Sequence, residues 1–220
     1  PYSIVTLPMA GYVARDKAGP VTEPQTAPSS RWAGLRNRKD SALSLTPDTT
    51  DNLVYNDELL NFLVHQFGPA GSATAIRGYS LDNEPDLWSS THERLHPEQP
   101  TCAELIARTV DLASTIKEID PDAEVFGFVS YGFGGLLDFQ GAEDWNSERT
   151  KGDYDWFLDY FLDQTKQASD SAGVRLIDVL DIHNYTEHRS STDVRVNEPE
   201  TWTDEATNFA RMQAPRAYWD

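Results

Sequence analysis

Four times along this chain, a short apolar segment rich in β-formers gives way to a stretch with helical spacing. Residues 3–12 (SIVTLPMAGY), 76–81, 124–131 (EVFGFVSY) and 176–185, centred on VLDIHNY, read as buried strands. Residues 56–67 place apolar side chains at Leu59, Leu60, Leu63, Val64 and Phe67, with Asn56 as the cap and Gly68 as the stop. Residues 104–119 do the same at Leu105, Ile106, Val110, Leu112, Ala113 and Ile116, and Pro121 stands just beyond. A long amphipathic helix is expected over 154–172, closed by Gly173, and part of 199–214 reads as helical. Strands that alternate with helices in this way form βαβ units around a parallel sheet, so the fold class is α/β.

A single domain is expected over residues 1–220. Residues 13–55 interrupt the pattern with several prolines and little periodicity. A connection of that length is normally functional or carries small structure of its own. It follows the C-terminal end of a strand, the side on which (β/α)8 barrels build their active sites. A complete barrel needs eight units and about 250 residues. Four units fill nearly all of this chain, so it is either a small open-sheet protein or part of a barrel. The strand-like start and the stop at Asp220 favour the second.

Asp and Glu number 36 against 18 Lys and Arg, a formal net charge of −18. That field repels nucleic acid and anionic lipid and is indifferent to a neutral polymer. No apolar run approaches the roughly 20 residues that span a bilayer, and no signal peptide opens the chain, which starts at Pro1. The single cysteine, Cys102, excludes an internal disulfide and a Cys-based metal site. It lies in Thr101-Cys-Ala-Glu104, which reads as a capping box with a small buried side chain inside it.

The motif with the most chemical content is Gly78-Tyr-Ser-Leu-Asp-Asn-Glu-Pro-Asp-Leu-Trp88. Asn83-Glu84-Pro85 at the end of a strand sets a carboxyl group at the mouth of a parallel sheet, because proline cannot continue the ladder. Glycoside hydrolysis needs a proton donor for the leaving oxygen and a second carboxylate across the sugar. Glu84 fits the donor, and Asn83 fits a hydrogen bond to a sugar hydroxyl. Against this stands an exposed loop carboxylate without a role.

Asp181, His183 and Tyr185 share one face of the fourth strand. They could orient a nucleophile or line a sugar subsite, or they could satisfy one another inside the fold. Trp88, Tyr131 and Phe133 lie just past strand ends, where an aromatic face can stack on a sugar. Trp32 and Trp145 add to the aromatic supply, and Trp156 reads as core. His92-Glu-Arg-Leu-His96 matches a zinc-protease pattern, but that chemistry needs a helix continuing past both histidines. Pro97 disfavours one there. Asn184-Tyr-Thr186 is formally a glycosylation site that falls inside the expected strand end.

These residues resemble glycoside hydrolase family 44, the endoglucanases and xyloglucanases. The resemblance rests on TLPMAGYVARDKAGPV, APSSRW, GYSLDNEPDLW with the following TH…HP, DPDAEVFG…YGFGG, DWNSERTKGDYDWFLDY and VLDIHNY, in order across essentially the whole chain. It implies a (β/α)8 barrel with a β-sandwich domain, a Glu acid/base after strand 4 and a Glu nucleophile after strand 7. By position Glu84 matches the acid/base, Asn83 its neighbour, and His183 and Tyr185 the strand-6 pair. The chain would then run from about strand 3 to just past strand 6, with the nucleophile and the sandwich beyond Asp220. Asn184 and Thr186 stand where the family usually has Trp and Pro, and Glu93 where it usually has Pro.

The expectation is therefore a retaining, endo-acting hydrolase of β-1,4-glucan such as cellulose, carboxymethylcellulose or xyloglucan. Glu84 is its acid/base, and Asn83, Trp88, Tyr131, Phe133, His183 and Tyr185 bind substrate. No cofactor is required, although acidic loops could hold a structural calcium. A β-glucan is the expected partner, with neither nucleic acid nor membrane, for a monomer whose family resemblance implies secretion. The alternatives are a non-catalytic glucan-binding or inactive barrel fragment, and a related xylanase or mannanase.

Overall fold

The computed structural model describes residues 2–185, 188–197, 203–214 and 216. These residues form two compact units, 1–183 and 184–220.

In chain order the first unit contains β1 (Ile4–Leu7), β2 (Tyr12–Ala14), β3 (Trp32–Arg36), β4 (Leu53–Tyr55), α1 (Asn56–Phe67), β5 (Gly78–Leu81), α2 (Trp88–Thr91), α3 (Cys102–Ile119), β6 (Glu124–Ser130), α4 (Phe133–Asp138), α5 (Trp145–Gly152), α6 (Phe157–Ala172) and β7 (Val179–Ile182). Strands β1, β5, β6 and β7 are the four expected from the sequence. They form one sheet in that order, parallel throughout, with Leu7 opposite Leu81, Tyr79 opposite Val125 and Phe126 opposite Val179. The molecule is thus an α/β fold with a parallel sheet and helices between its strands.

Helix α1 has the expected bounds, but Tyr55 is its N-cap and Asn56 lies inside its first turn, where its amide donates to Pro8 O (3.0 Å). Helix α3 starts at Cys102 because Thr101 accepts from the Glu104 N–H (3.0 Å). The Glu104 carboxylate turns instead to His96 (3.0 Å) and Arg108 (2.8 Å), and two further N–H groups of the first turn are met from a distance. Asp144, some forty residues on, accepts from the N–H groups of Cys102 (2.8 Å) and Ala103 (3.0 Å). A carboxylate suits the positive end of a helix dipole. Cys102 is buried, and burial pushes its thiol pKa far up, so it stays inert. Gly173 ends α6 at φ 69°, the left-handed cap geometry that glycine adopts without steric cost.

One face of the sheet packs on α1, α3 and α6 through Leu7, Tyr79, Leu81, Val125 and Phe128 against Leu60, Leu105, Leu112, Ile116, Phe157 and Phe161, all at most 1% exposed. Each such burial stabilises by about 1.5–3 kcal/mol. Phe128 sits among the rings of Phe161 (4.7 Å), Phe157 (5.2 Å) and Phe139 (6.2 Å). The long 13–55 connection carries its own structure: β2, β3 and β4 form a separate three-stranded sheet, and β4 runs straight into α1.

The second unit holds α7 (Glu205–Gln213), capped by Asp204 accepting from Thr207 N (2.7 Å), and a small cluster of Val196, Ala210 and Ala214. The rest of the expected 199–214 helix includes residues outside those described, as does Thr186 of the glycosylation pattern. Among the described residues, no helix is long and apolar enough to cross a membrane.

Candidate active site

Strand β6 pairs with both β5 and β7, so the C-terminal ends of these three strands lie side by side. The chain that leaves each neighbour is tied back to the end of β6. The Glu84 N–H donates to Val129 O (3.0 Å), and the His183 N–H donates to Ser130 O (2.7 Å). That double anchor brings two distant side chains together: Glu84 Oε1 and His183 Nδ1 are 2.6 Å apart.

The backbone at Glu84 is left-handed, φ 45° and ψ 57°, and Asp82 two residues earlier has φ 62°. Non-glycine residues rarely adopt this region, and holding one there costs about 1–3 kcal/mol. The turn is kept by Asp82 N donating to Leu7 O (2.9 Å) and by the Asp82 carboxylate, which accepts from Met9 N (2.5 Å) and Asn83 N (2.8 Å). Pro85 then starts a single turn of 3-10 helix, Pro85–Leu87. The Glu84 side chain is 14% exposed and that of His183 28%, so both are sheltered yet reachable.

Beneath them lies a carboxyl group that sequence reasoning did not single out. Asp86 is 1% exposed and accepts from Tyr131 N (3.1 Å) and Ser130 Oγ (3.2 Å). Burial raises its pKa above the ordinary carboxylate value, against the lowering effect of those hydrogen bonds, and nearby Glu84 adds to the rise. Asp86 ties the Glu84 turn to the start of the β6–α4 connection. Its neighbourhood in the sequence gave no signal for this role, because only the tertiary fold buries it.

The other expected site residues divide. Asn83 is exposed beside Glu84, and Tyr131 is half-buried at the end of β6. Phe133 is 64% exposed past the same strand. Trp156 was expected in the core but is 40% exposed and meets Phe133 edge to face at 5.6 Å, because it precedes α6 rather than lying within it. Trp88 is corrected in the opposite direction. At 1% exposure, with the His96 ring at 5.3 Å and the Arg108 guanidinium at 5.9 Å, it presents no open face for stacking. Tyr185 is 49% exposed and belongs to the second unit.

The zinc-protease pattern takes no metal-site geometry. Helix α2 ends at Thr91, so His92 and His96 do not share a continuing helix. His96 instead places Nε2 3.0 Å from Glu104 Oε1, while His92 Nδ1 lies 2.9 Å from Thr91 Oγ1. Among the described residues, no group of three or more His, Cys, Asp or Glu side chains is placed to hold a metal ion.

The model of glycoside hydrolase family 44 matches residues 2–188. Beta-mannanase/endoglucanase A of Caldicellulosiruptor saccharolyticus is 53% identical over 219 residues, which is 100% of this chain and 16% of that protein. Endoglucanase A of Paenibacillus lautus is 51% identical over 219 residues, again 100% of this chain and 31% of the relative. A family 44 xyloglucanase of Paenibacillus polymyxa, solved also with xyloglucan, superposes with a TM-score of 0.94 at 49% identity, covering 100% of this chain and 42% of that one. The chain therefore spans less than half the length of each of these relatives. With a left-handed Glu-Pro turn at a parallel strand end and a family match over residues 2–188, the chain belongs to glycoside hydrolase family 44.

Proposed function

We propose that this chain supplies the acid/base half of a retaining, endo-acting β-1,4-glucanase. The observation that carries the reading is the 2.6 Å pairing of Glu84 with His183 at the C-terminal rim of a parallel sheet. In this reading β1, β5, β6 and β7 are strands 3 to 6 of a (β/α)8 barrel, a fold whose active sites lie at that rim. The superposition on less than half of the P. polymyxa enzyme supports it.

Glu84 protonates the departing glycosidic oxygen, and its carboxylate then takes a proton from the water that releases the glycosyl-enzyme. His183 holds the carboxyl group at the angle required. Asn83 meets a sugar hydroxyl, and Tyr131 and Phe133 offer ring surface to neighbouring units. The nucleophile is a carboxylate outside these 220 residues, about 5–5.5 Å from Glu84 in the assembled domain, the spacing that retention requires. A neutral glucan, xyloglucan included, suits a protein of net charge −18. Because such polymers lie outside cells, the complete protein acts there. No cofactor takes part.

The test is Glu84→Gln in the complete family 44 domain. Cleavage of carboxymethylcellulose and xyloglucan should fall by about 10²–10⁴-fold, while affinity for cello-oligosaccharides stays near wild type. Full activity in the variant would dismiss Glu84. The 220-residue chain by itself should bind glucan without turning it over; appreciable release of reducing ends by that chain would show that its own carboxylates suffice.

A further inference from the structure

The 13–55 connection does more than decorate the fold. Its small sheet and the ends of β1 and β5 enclose an open cavity of about 610 Å³. That lies inside the range of ordinary ligand sites, about 300–1,000 Å³. Asp82 is in its wall, two residues before Glu84, so the cavity adjoins the acid/base turn on the side away from His183. The geometry points to a sugar subsite here, taking consecutive pyranose units of the glucan with Trp32 as the stacking surface. This inference rests on the hydrolase reading above.

Trp32 is fixed before any ligand arrives. It pairs with Ala14 across β2 and β3, its N–H donates to Ser29 O (3.1 Å) and its Nε1–H donates to Gln25 O (2.8 Å). The indole is only half-buried, and it lines the cavity together with Tyr12. The electron-rich face of an aromatic ring attracts the slightly positive C–H surface of a pyranose. A rigid ring does so without losing further side-chain freedom.

The polar complement is present as well. Asp82 spends one hydrogen bond per carboxylate oxygen on backbone N–H groups, which leaves acceptor capacity on both oxygens. Trp88 lines the same cavity, and its buried Nε1–H has no acceptor among the described residues. A sugar hydroxyl can donate to the Asp82 carboxylate, which is only partly buried. The two walls are pinned to each other by Ala27 N donating to Arg94 O (2.8 Å), inside the His92–His96 segment that the zinc-like pattern occupies.

The experiment compares Trp32→Ala and Trp32→Phe in the complete family 44 domain, with unfolding midpoints recorded for each. The readout is the ratio of kcat/KM on cellohexaose to kcat/KM on an aryl cellobioside. The ratio should fall by about tenfold in Trp32→Ala and return to within roughly threefold in Trp32→Phe. Equal losses on both substrates, or no change in the ratio, would overturn the subsite. Should Trp32→Ala fail to fold, the second measurement decides. In Glu84→Gln protein, cellohexaose should change the tryptophan fluorescence, and adding Trp32→Phe should remove most of that change; its full survival would overturn the proposal. Failure of the acid/base reading is separate, because it would show as activity retained in Glu84→Gln.

Discussion

Glu84 and His183 are 99 residues apart in the chain and 2.6 Å apart in space. The contact exists because β6 lies between β5 and β7 and fixes the backbone of both residues through Val129 O and Ser130 O. In the proposed reaction Glu84 has to meet a glycosidic oxygen, and misplacement by about 1 Å can cost 10²-fold. His183→Ala in the complete domain should therefore lower kcat by about 10- to 100-fold with little change in KM. Steady-state kinetics on xyloglucan would check it, and an unchanged kcat would remove His183 from the positioning role.

Asp86 is expected to matter through its acceptors. Removing the carboxyl group in Asp86→Ala takes away the acceptor shared by Tyr131 N–H and the buried Ser130 hydroxyl, which should cost about 1–3 kcal/mol. Asp86→Asn keeps one carbonyl oxygen for that N–H and no longer carries a charge out of water, so it should cost less than about 1 kcal/mol. The sign of the pH effect follows from the raised pKa. The folded protein holds this proton more tightly than the unfolded chain, so ionisation costs stability as pH rises from the ordinary value of 3.8 through the folded one. Urea unfolding of the two variants at low and neutral pH would separate these effects.

Gly135 is confined by the same cluster. A Cβ built there would stand 2.1 Å from Ser130 Oγ and 2.2 Å from Asp86 Oδ2. Both are short, buried side chains already held by hydrogen bonds, so neither can swing away. Gly135→Ala should destabilise by about 1–3 kcal/mol and disturb the turn that carries Tyr131. Thermal unfolding would show the loss, and a stability equal to wild type would mean that the α4 turn shifts freely.

The zinc-like pattern yields a pH prediction instead of a metal. The hydrogen bond from His96, aided by Arg108, holds the Glu104 carboxyl at about 2, below its ordinary 4.5. Its contribution is present above 4.5 and is lost as pH falls through 2. The hydrogen bond to Glu104 raises His96 above 6.5, so that contribution is full below 6.5 and is lost as pH rises through the folded value. The pair is therefore strongest between these limits. Glu104→Gln should cost about 1–2 kcal/mol near pH 6 and less at both extremes. Denaturant unfolding at about pH 3, 6 and 9 would test this, and a chelator should change nothing.

Local physics settled much of this protein in advance. The alternation of apolar runs with helical spacing gave the four parallel strands and the helices α1, α3 and α6, because burial of one face imposes its period on the sequence. Asn83-Glu84-Pro85 marked the strand end, since proline cannot donate to a continuing ladder. Other features had no local signature. The burial of Trp88, the exposure of Trp156, the capping of α3 by Asp144, the buried carboxyl of Asp86 and the meeting of Glu84 with His183 each depend on which elements become neighbours. Periodicity records which face of an element is apolar, whereas only the packed sheet determines what that face, or its rim, will touch.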